Sequence, residues 1–279
     1  MYRKWWGILA TYVISDIHGY LNRMFDVLRI AEFDWEKDEL YVLGDVIDRG
    51  PHSAEALHWA VEDAPDNVHF LLGNHEDMAC RALTVVEDIL SIDSYIYEDP
   101  WSWNGGYSTL DNCREMYGAN WCHKAANWIR NLPLYYIVDD KLLVHAGLVM
   151  GGIRMSDDFL SDGRDEFVDI PGIEETQWSQ HLLWARERWF FDQNDYPYDI
   201  IFGHTPTSFD WMNSVIAFQE GNSNIQFKGG REDIVRITGF DNGKVRYCID
   251  TGRNRMGLLR LDDYAEFYSE CKEEEEWAF

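Results

Sequence analysis

The chain has 279 residues, of which 46% are hydrophobic and 27% charged, proportions that are ordinary for a globular protein. Its 24 basic and 50 acidic residues give a net charge of −26, which repels polyanions and argues against partners such as bulk nucleic acid or an anionic membrane. The five cysteines form no Cys-x-x-Cys pair, which favours a reducing, cytoplasmic location over a disulfide framework. The apolar run at residues 5–14 is too short to span a bilayer.

Strands and helices alternate in the first part of the chain. Apolar runs of strand length occur at Ile8–Ile14, Leu40–Leu43 and Val68–Leu72, and apolar residues at helical spacing follow the first two. This alternation predicts βαβ units and a largely parallel sheet.

The middle and the end of the chain have other patterns. The stretch 91–132 is rich in tryptophan and tyrosine and predicts a helical insertion packed over the sheet. We predict strands at 134–138 and 141–145 and a helix at 174–191. Further strand-like runs are Ile200–Phe202, Ile234–Ile237, Val245–Ile249 and Met256–Leu261. Because no linker rich in Pro, Gly or Ser divides the chain, we predict one domain over residues 1–279.

Each of the first three predicted strands ends in a polar cluster. The clusters read Ser-Asp-Ile-His-Gly at 15–19, Gly-Asp-Val-Ile-Asp-Arg-Gly at 44–50 and Gly-Asn-His-Glu at 73–76. Ligands of open α/β sheets bind beyond the carboxyl ends of the strands. The three clusters are therefore expected to converge on one site.

The polar residues at these strand ends have the chemistry of metal ligands. Asp45 carries two carboxylate oxygens and could bridge two ions. Mixed imidazole and carboxylate ligation suits Mn, Fe, Zn or Co rather than Ca. The candidate ligands, including two histidines that follow later strand-like runs, are Asp16, His18, Asp45, Asn74, His145 and His204.

These clusters, with Val-His-Ala-Gly at 144–147 and Gly-His at 203–204, closely resemble the phosphoprotein phosphatase branch of the calcineurin-like metallophosphoesterases. Ser15 and Ile47 are mild departures from the Gly and Val of the family motifs. The stretches at 103–110 and 183–186 look like those of bacterial Ser/Thr protein phosphatases. The resemblance implies an α/β fold in which two mixed β-sheets form a central sandwich flanked by helices.

The resemblance also implies a role for each matching residue. Asp16 and His18 would bind a first ion, and Asp45 would bridge to a second. The second ion would be held by Asn74, His145 and His204. The implied catalytic residues are His75 as general acid, Asp48 as its partner, and Arg49 and Arg186 as clamps on the phosphate. A solvated helix residue in the charged run 186–188 is the alternative for Arg186.

The function implied is a phosphomonoesterase with two divalent ions, manganese first and iron, zinc, cobalt or nickel as alternatives. Its substrate would be a phosphorylated protein, through phosphoserine or phosphothreonine, or a small phosphate ester. Two ions sharing Asp45 would lower the pKa of a bridging water, giving a hydroxide that attacks phosphorus.

Two other functions stay open. One is the symmetrical dinucleoside tetraphosphate hydrolases, relatives that typically have Ala-Arg where this chain has Asp48-Arg49. The other is a metal-dependent interaction module without turnover, which the complete set of ligands and acid disfavours.

Overall fold

We describe the fold from a computed structural model, over residues 9–84, 101–148, 164–208 and 225–270 except positions 165, 175, 187, 188, 191, 193 and 253. The strands are β1 Thr11–Ile14, β2 Glu39–Val42, β3 Val68–Phe70, β4 Tyr135–Val138, β5 Lys141–Val144, β6 Phe167–Val168, β7 Gln177–Trp178, β8 Asp199–Phe202, β9 Gln226–Lys228, β10 Val235–Thr238, β11 Arg246–Cys248, β12 Gly257–Arg260 and β13 Glu266–Tyr268. The α-helices are α1 Leu21–Ile30, α2 Ser53–His58, α3 Asn74–Thr84, α4 Tyr107–Tyr117, α5 Ala119–Arg130 and α6 Ser179–Trp184. Among these described helices, none combines the length and the apolar character that a bilayer crossing requires.

The first sheet has five strands in the order β13-β12-β1-β2-β3. The predicted βαβ units form its parallel part, in which Ile14 pairs with Val42, and Val42 with Phe70. The prediction of a largely parallel sheet is wrong for the sheet as a whole. The last strands of the chain return antiparallel, with Val13 opposite Leu259.

The second sheet has six strands in the order β4-β5-β8-β11-β10-β9. β5, β8 and β11 run parallel, so their carboxyl ends also lie at one edge. β4 and β5 form the predicted antiparallel hairpin, whose turn contains Asp139 in the left-handed region at φ 54°.

The two sheets pack face to face through side chains that alternate along each strand. Val13 and Leu259 of the first sheet share a buried cluster with Leu143 and Ile201 of the second. The neighbouring residue Ile14 belongs instead to the cluster that includes the helices. This period of two places one face of each strand against the other sheet and one against helices. The predicted α/β sandwich of two mixed sheets is confirmed.

The described part of the predicted insertion is helical except at Gly118 and at residues 131–132. A π-helical turn at Ser102–Gly106 leads into α4, and α5 follows after Gly118 at φ 82°. α5 packs along α3, where the Cys80 thiol donates to the carbonyl of Ala126 at 3.6 Å. Residues 91–100 of the prediction lie outside the described residues.

The predicted helix at 174–191 is confirmed only in part, since residues 179–184 and 189–190 are helical and residues 177–178 are not. Residues 177–178 form β7, which pairs with β6, and α6 is helical only from Ser179 to Trp184. The Phe167 and Trp178 rings contact across this hairpin with centroids 4.0 Å apart. A pairing partner about ten residues upstream therefore overrides the local helical pattern.

Candidate active site

The structure brings the six predicted metal ligands to one edge of the sandwich. Each of them lies at or just after the carboxyl end of a parallel strand. Asp16 follows β1 and Asp45 follows β2, while Asn74 begins α3 after β3. His145 and His204 follow β5 and β8 of the other sheet. The crevice between the two sheets thus receives ligands from both.

Three of these ligands converge on one another. Asn74 Oδ1 lies 2.9 Å from His145 Nε2 and 2.9 Å from His204 Nδ1, and the two nitrogens are 3.2 Å apart. His145 Nδ1 donates to the carbonyl of Leu43 at 2.7 Å, so Nε2 of this buried imidazole presents a lone pair. Burial lowers the pKa of His145, which favours the neutral, ligating form.

The second half of the site has the same chemistry. His18 Nδ1 donates to the carbonyl of Ile47 at 2.8 Å, which leaves the Nε2 lone pair 3.7 Å from Asp45 Oδ2 and 4.0 Å from Asp16 Oδ1. Arg49 Nη1 donates to this nitrogen at 2.7 Å. Asp16 Oδ1 is buried and has no hydrogen-bond partner among the described residues.

Asp45 joins the two halves. Its carboxylate forms one potential metal-binding group with His145 and His204 and another with His18 and His75, with donor atoms within 4.8 Å of one another in each group. Asp45 is 1% exposed, and burial followed by the charge of Asp16 raises its pKa well above the usual range. Buried carboxylates and unprotonated imidazole nitrogens at this spacing fit a pair of divalent cations.

His75 and Asp48 form a buried pair beside these ligands. His75 Nδ1 donates to Asp48 Oδ2 at 2.7 Å, and His75 Nε2 lies 3.9 Å from Asp45 Oδ2. Burial, and then the charge of Arg49, lowers the pKa of His75 well below its ordinary value. Burial raises the pKa of Asp48 to about 7, against hydrogen bonds from Thr109 and Trp101 that lower it.

Both predicted arginines line a cleft of about 520 Å³ that opens from the ligand cluster. Arg186 Nη1 donates to the carbonyl of His204 at 3.2 Å, so Arg186 belongs to the site rather than to a remote solvated face. Arg23 and Arg231 line the same cleft and had not been predicted. Arg23 is 3% exposed, and its guanidinium lies 4.3 Å from the centre of the Tyr20 ring.

Glu76 is a site residue that the sequence prediction missed. Its fully buried carboxylate accepts the backbone N–H groups of Asp45 and Val46 at 2.8 Å and that of Gly73 at 3.2 Å. Burial raises its pKa to about 8. Its position in the Gly-Asn-His-Glu motif was the available signal, since a carboxylate there can fix a neighbouring loop.

Asp250 was also missed. It follows β11, which runs parallel to β8, and it lines the cleft while only 4% exposed. Burial, and then the charge of Asp16, raises its pKa well above the usual range. The strand-end rule that identified the other carboxylates applies equally to the run Val245–Ile249, after which Asp250 comes directly.

The backbone of the site is held in an uncommon conformation. Of ten non-glycine residues in the described chain with positive φ, six are predicted site residues, which cluster the strain in this one place. At Gly203 an added Cβ would lie 1.9 Å from Ser15 Oγ, so the loop before His204 needs glycine. The six strained residues are Asp16, His18, Asp45, Asp48, Arg49 and His204.

Comparison with protein families settles the class of this site. The family model described as calcineurin-like phosphoesterase matches residues 9–249, most of the chain. The chain belongs to the calcineurin-like phosphoesterase family. This membership confirms the predicted enzyme class, a metal-dependent phosphoesterase, and agrees with the donor set described above.

The individual relatives in the family match about half of the chain at about 30% identity. The chain is 31% identical over 141 residues to a symmetrical bis(5'-nucleosyl)-tetraphosphatase of Methylobacillus flagellatus, covering 50% of this chain and 44% of the relative. A protein of the same description from Psychromonas ingrahamii is 30% identical over 142 residues, covering 50% and 45%. The match thus spans less than half the length of these curated relatives.

Two solved structures share the fold. A metallophosphoesterase from Sphaerobacter thermophilus superposes with a TM-score of 0.50 at 14% identity, covering 95% of this chain and 89% of the other. A protein serine/threonine phosphatase from Saccharomyces cerevisiae also gives 0.50, at 17% identity, covering 94% and 79%. At these identities the likeness concerns the fold alone.

Proposed function

We propose that this protein hydrolyses phosphoric anhydrides with two divalent ions, and that its substrate is a dinucleoside polyphosphate split symmetrically into two nucleoside diphosphates. One observation carries the choice of substrate: four arginines line the cleft that opens from the ligand cluster, in a chain with a net charge of −26. The tetraphosphatases similar to half of the chain support the same choice.

The ligand geometry supports the assignment of both ions. Asp16, His18 and Asp45 would hold the first, and Asp45, Asn74, His145 and His204 the second. When bound, the ions would supply Lewis acidity and an activated water, and manganese is the first candidate for this mixed donor set. We assign His75 to proton transfer rather than ligation, the role that the family resemblance implies for it, and the 2.7 Å bond from its Nδ1 to Asp48 would orient the ring for that role.

The arginines divide into an inner and an outer pair. Arg49, whose Nη1 contacts His18, and Arg186, whose Nη1 contacts His204 O, lie against the ligands and suit the phosphoryl group under attack. Since one lone pair of His18 cannot serve both a guanidinium and an ion, metal binding would turn Arg49 toward the substrate. We assign Arg23 and Arg231, which line the same cleft, to further phosphates of a chain, because a guanidinium binds phosphate oxygens through paired N–H groups.

The size of the cleft agrees with this proposal. Its volume of about 520 Å³ lies within the range of pockets that enclose small-molecule ligands. Asp250 and Glu232 line the same cleft and limit how much negative charge it accepts without bound cations. We therefore expect tetraphosphate binding to depend on the metal.

A phosphomonoesterase acting on phosphoserine or phosphothreonine is the second candidate. The observation that favours it is the buried Asp48–His75 pair, since an oriented acid matters most for a poor alkoxide leaving group. A nucleoside diphosphate is a better leaving group and needs less help.

A competition between substrates tests the proposal. Metal-stripped protein with manganese added back is given diadenosine tetraphosphate, a phosphothreonine peptide and p-nitrophenyl phosphate at matched concentrations, and products are separated by chromatography. We expect kcat/KM to be highest for the tetraphosphate, with ADP as the only nucleotide product. A higher kcat/KM for the peptide, or release of AMP with ATP, would contradict it.

A further inference from the structure

Part of the helical insertion is bound to the proposed acid pair rather than to the open cleft. Trp101 Nε1 donates to Asp48 Oδ2 at 2.6 Å, and Thr109 Oγ1 donates to Asp48 Oδ1 at 2.6 Å. Trp101 is 1% exposed and Thr109 is fully buried. Together with His75 Nδ1, they give the Asp48 carboxylate three donors, two of which come from the insertion.

The turn between these two donors is shaped to reach Asp48. A Cβ at Gly105, which has φ 101°, would lie 2.8 Å from the backbone nitrogen of Arg49. A Cβ at Gly106 would lie 2.2 Å from the ring of Trp101. Only glycine therefore lets the turn sit on Asp48 and Arg49 with the indole directed at the carboxylate.

We propose that Trp101 and Thr109 are positioning residues for catalysis, which hold Asp48 so that it fixes the ring orientation and tautomer of His75. The inference rests on the phosphate hydrolysis proposed above, since it concerns proton donation by His75 Nε2. A carboxylate without these two donors could rotate, and the imidazole would lose the partner that directs Nδ1 away from the cleft.

The proton transfers of the reaction show which step a misoriented His75 ring would slow. Nε2 carries a proton only in the imidazolium form of His75, because the proton of the neutral ring is on Nδ1, which donates to Asp48. As the bond from phosphorus to the leaving oxygen breaks, its electron pair stays on that oxygen, which takes the Nε2 proton of the imidazolium and leaves His75 neutral. The attacking water forms the new bond to phosphorus, and the proton that it loses returns to Nε2 through solvent. A misoriented ring slows only the first transfer, and only where the leaving oxygen needs a proton.

The test uses Thr109→Val, which removes one donor at nearly constant shape, and Trp101→Phe, which removes the other donor and also reduces the size of a buried ring. For phenyl phosphate, a poor leaving group, we expect kcat to fall by about tenfold or more with KM unchanged. For p-nitrophenyl phosphate we expect a change below about threefold, because nitrophenolate leaves without protonation. Thr109→Ser restores the hydroxyl and should restore the phenyl phosphate rate.

Matched controls separate positioning from packing. Thr84→Val removes a hydroxyl that donates to the carbonyl of Cys80 at 2.7 Å, and Trp128→Phe shortens a ring that packs on Phe70. Both variants should leave the ratio of kcat for p-nitrophenyl phosphate to kcat for phenyl phosphate at the wild-type value. His75→Ala should give the largest value of this ratio. Equal losses on both substrates in Thr109→Val and Trp101→Phe would overturn the inference.

A second measurement does not require turnover. In metal-free protein labelled with ¹⁵N-histidine, the Nδ1–H of His75 should give a downfield proton resonance, assigned by its loss in His75→Gln. We expect this resonance to shift or vanish in Thr109→Val and to persist in Thr109→Ser. If the wild type hydrolyses no phosphate compound, the proposed function fails, and this resonance alone decides the inference. An unchanged resonance in both insertion variants, Thr109→Val and Trp101→Phe, would contradict it.

Discussion

Glu76 Oε2 accepts the backbone N–H of Asp45 at 2.8 Å, so the polar cluster after the third strand fixes the loop after the second. Oε1 accepts the N–H of Val46 at 2.8 Å and that of Ile47 at 3.3 Å. The placement of the carboxylate that we propose to bridge two ions therefore depends on a buried side chain from a different loop.

Replacing Glu76 should cost stability as well as metal affinity. Glu76→Gln keeps the size of the side chain but sets an amide NH₂ against backbone N–H donors, which leaves buried donors without an acceptor. We expect the free energy of unfolding to fall by about 3 kcal/mol in urea titrations carried out above the pKa of Glu76, where its carboxylate is ionised. Glu55→Gln, on the partly exposed side of α2, is the control and should change it by less than about 0.5 kcal/mol. An equal loss of stability in Glu76→Gln and Glu55→Gln would mean that other contacts hold the loop that carries Asp45.

The outer arginines, Arg23 and Arg231, should contribute to binding only when the substrate contains several linked phosphates. Arg231 lines the cleft at the protein surface and is held by a 2.8 Å bond from Nε to the carbonyl of Ser208. Arg231→Ala should raise KM for diadenosine tetraphosphate by about tenfold, the loss of one charged hydrogen bond, and leave KM for p-nitrophenyl phosphate unchanged. Arg29→Ala, which removes an exposed arginine paired with Asp26, should change neither. A parallel rise for both substrates would rule out a distal phosphate site.

Asp77 should make stability depend on pH. Burial raises its pKa to about 6, although the backbone N–H of Arg164 donates to Oδ2 at 3.0 Å. Because the folded state holds this proton more tightly than the unfolded state, stability falls as pH rises from about 4 to about 6. Asp77→Asn removes that titration. The free energy of unfolding of Asp77→Asn minus that of the wild type should therefore increase by about 3 kcal/mol across this window.

The measurement is urea unfolding of both proteins between pH 4 and 7. Asp140→Asn serves as a control of opposite sign, because hydrogen bonds from Lys141 and Lys244 lower the pKa of Asp140 to about 2. The stabilisation that the Asp140 carboxylate provides is complete above pH 4 and is lost only below it. The difference in free energy of unfolding between Asp140→Asn and the wild type should therefore stay constant across the same window. A flat difference for Asp77→Asn would show that Asp77 titrates normally.

The strand-end residues were predictable because their signal is local. An apolar run followed directly by a cluster such as Asp16-Ile17-His18 needs only the rule that parallel strands end at one edge of a sheet. The same rule would have reached Asp250, had it been applied after β11. The turn at 139–140 was predictable for a similar reason, since it joins two neighbouring strands.

The rest of the site depends on partners distant in sequence. Trp101 and Thr109 lie 53 and 61 residues after Asp48, and neither indole nor hydroxyl groups stand out as catalytic types in a chain with 13 tryptophans. The error in the first part of the predicted helix 174–191 has the same origin, because the hairpin of Phe167 with Trp178 is a pairing that helical periodicity does not register. Arg23 has the sequence pattern of an ordinary residue of α1, and only the structure shows that it lines the same cleft as Arg231.

The central claim is that two ions share Asp45, and the electron paramagnetic resonance spectrum of manganese-loaded protein tests it most directly. A bridging carboxylate brings two manganese ions close enough to couple their spins. Asp45→Asn keeps an oxygen for the 3.0 Å bond from the backbone N–H of His75 but weakens the bridge, and Asp34→Asn is the exposed control. We predict a spin-coupled spectrum for the wild type and Asp34→Asn, and the hyperfine pattern of isolated manganese for Asp45→Asn. Isolated manganese in the wild type, or undiminished coupling in Asp45→Asn, would contradict the shared site.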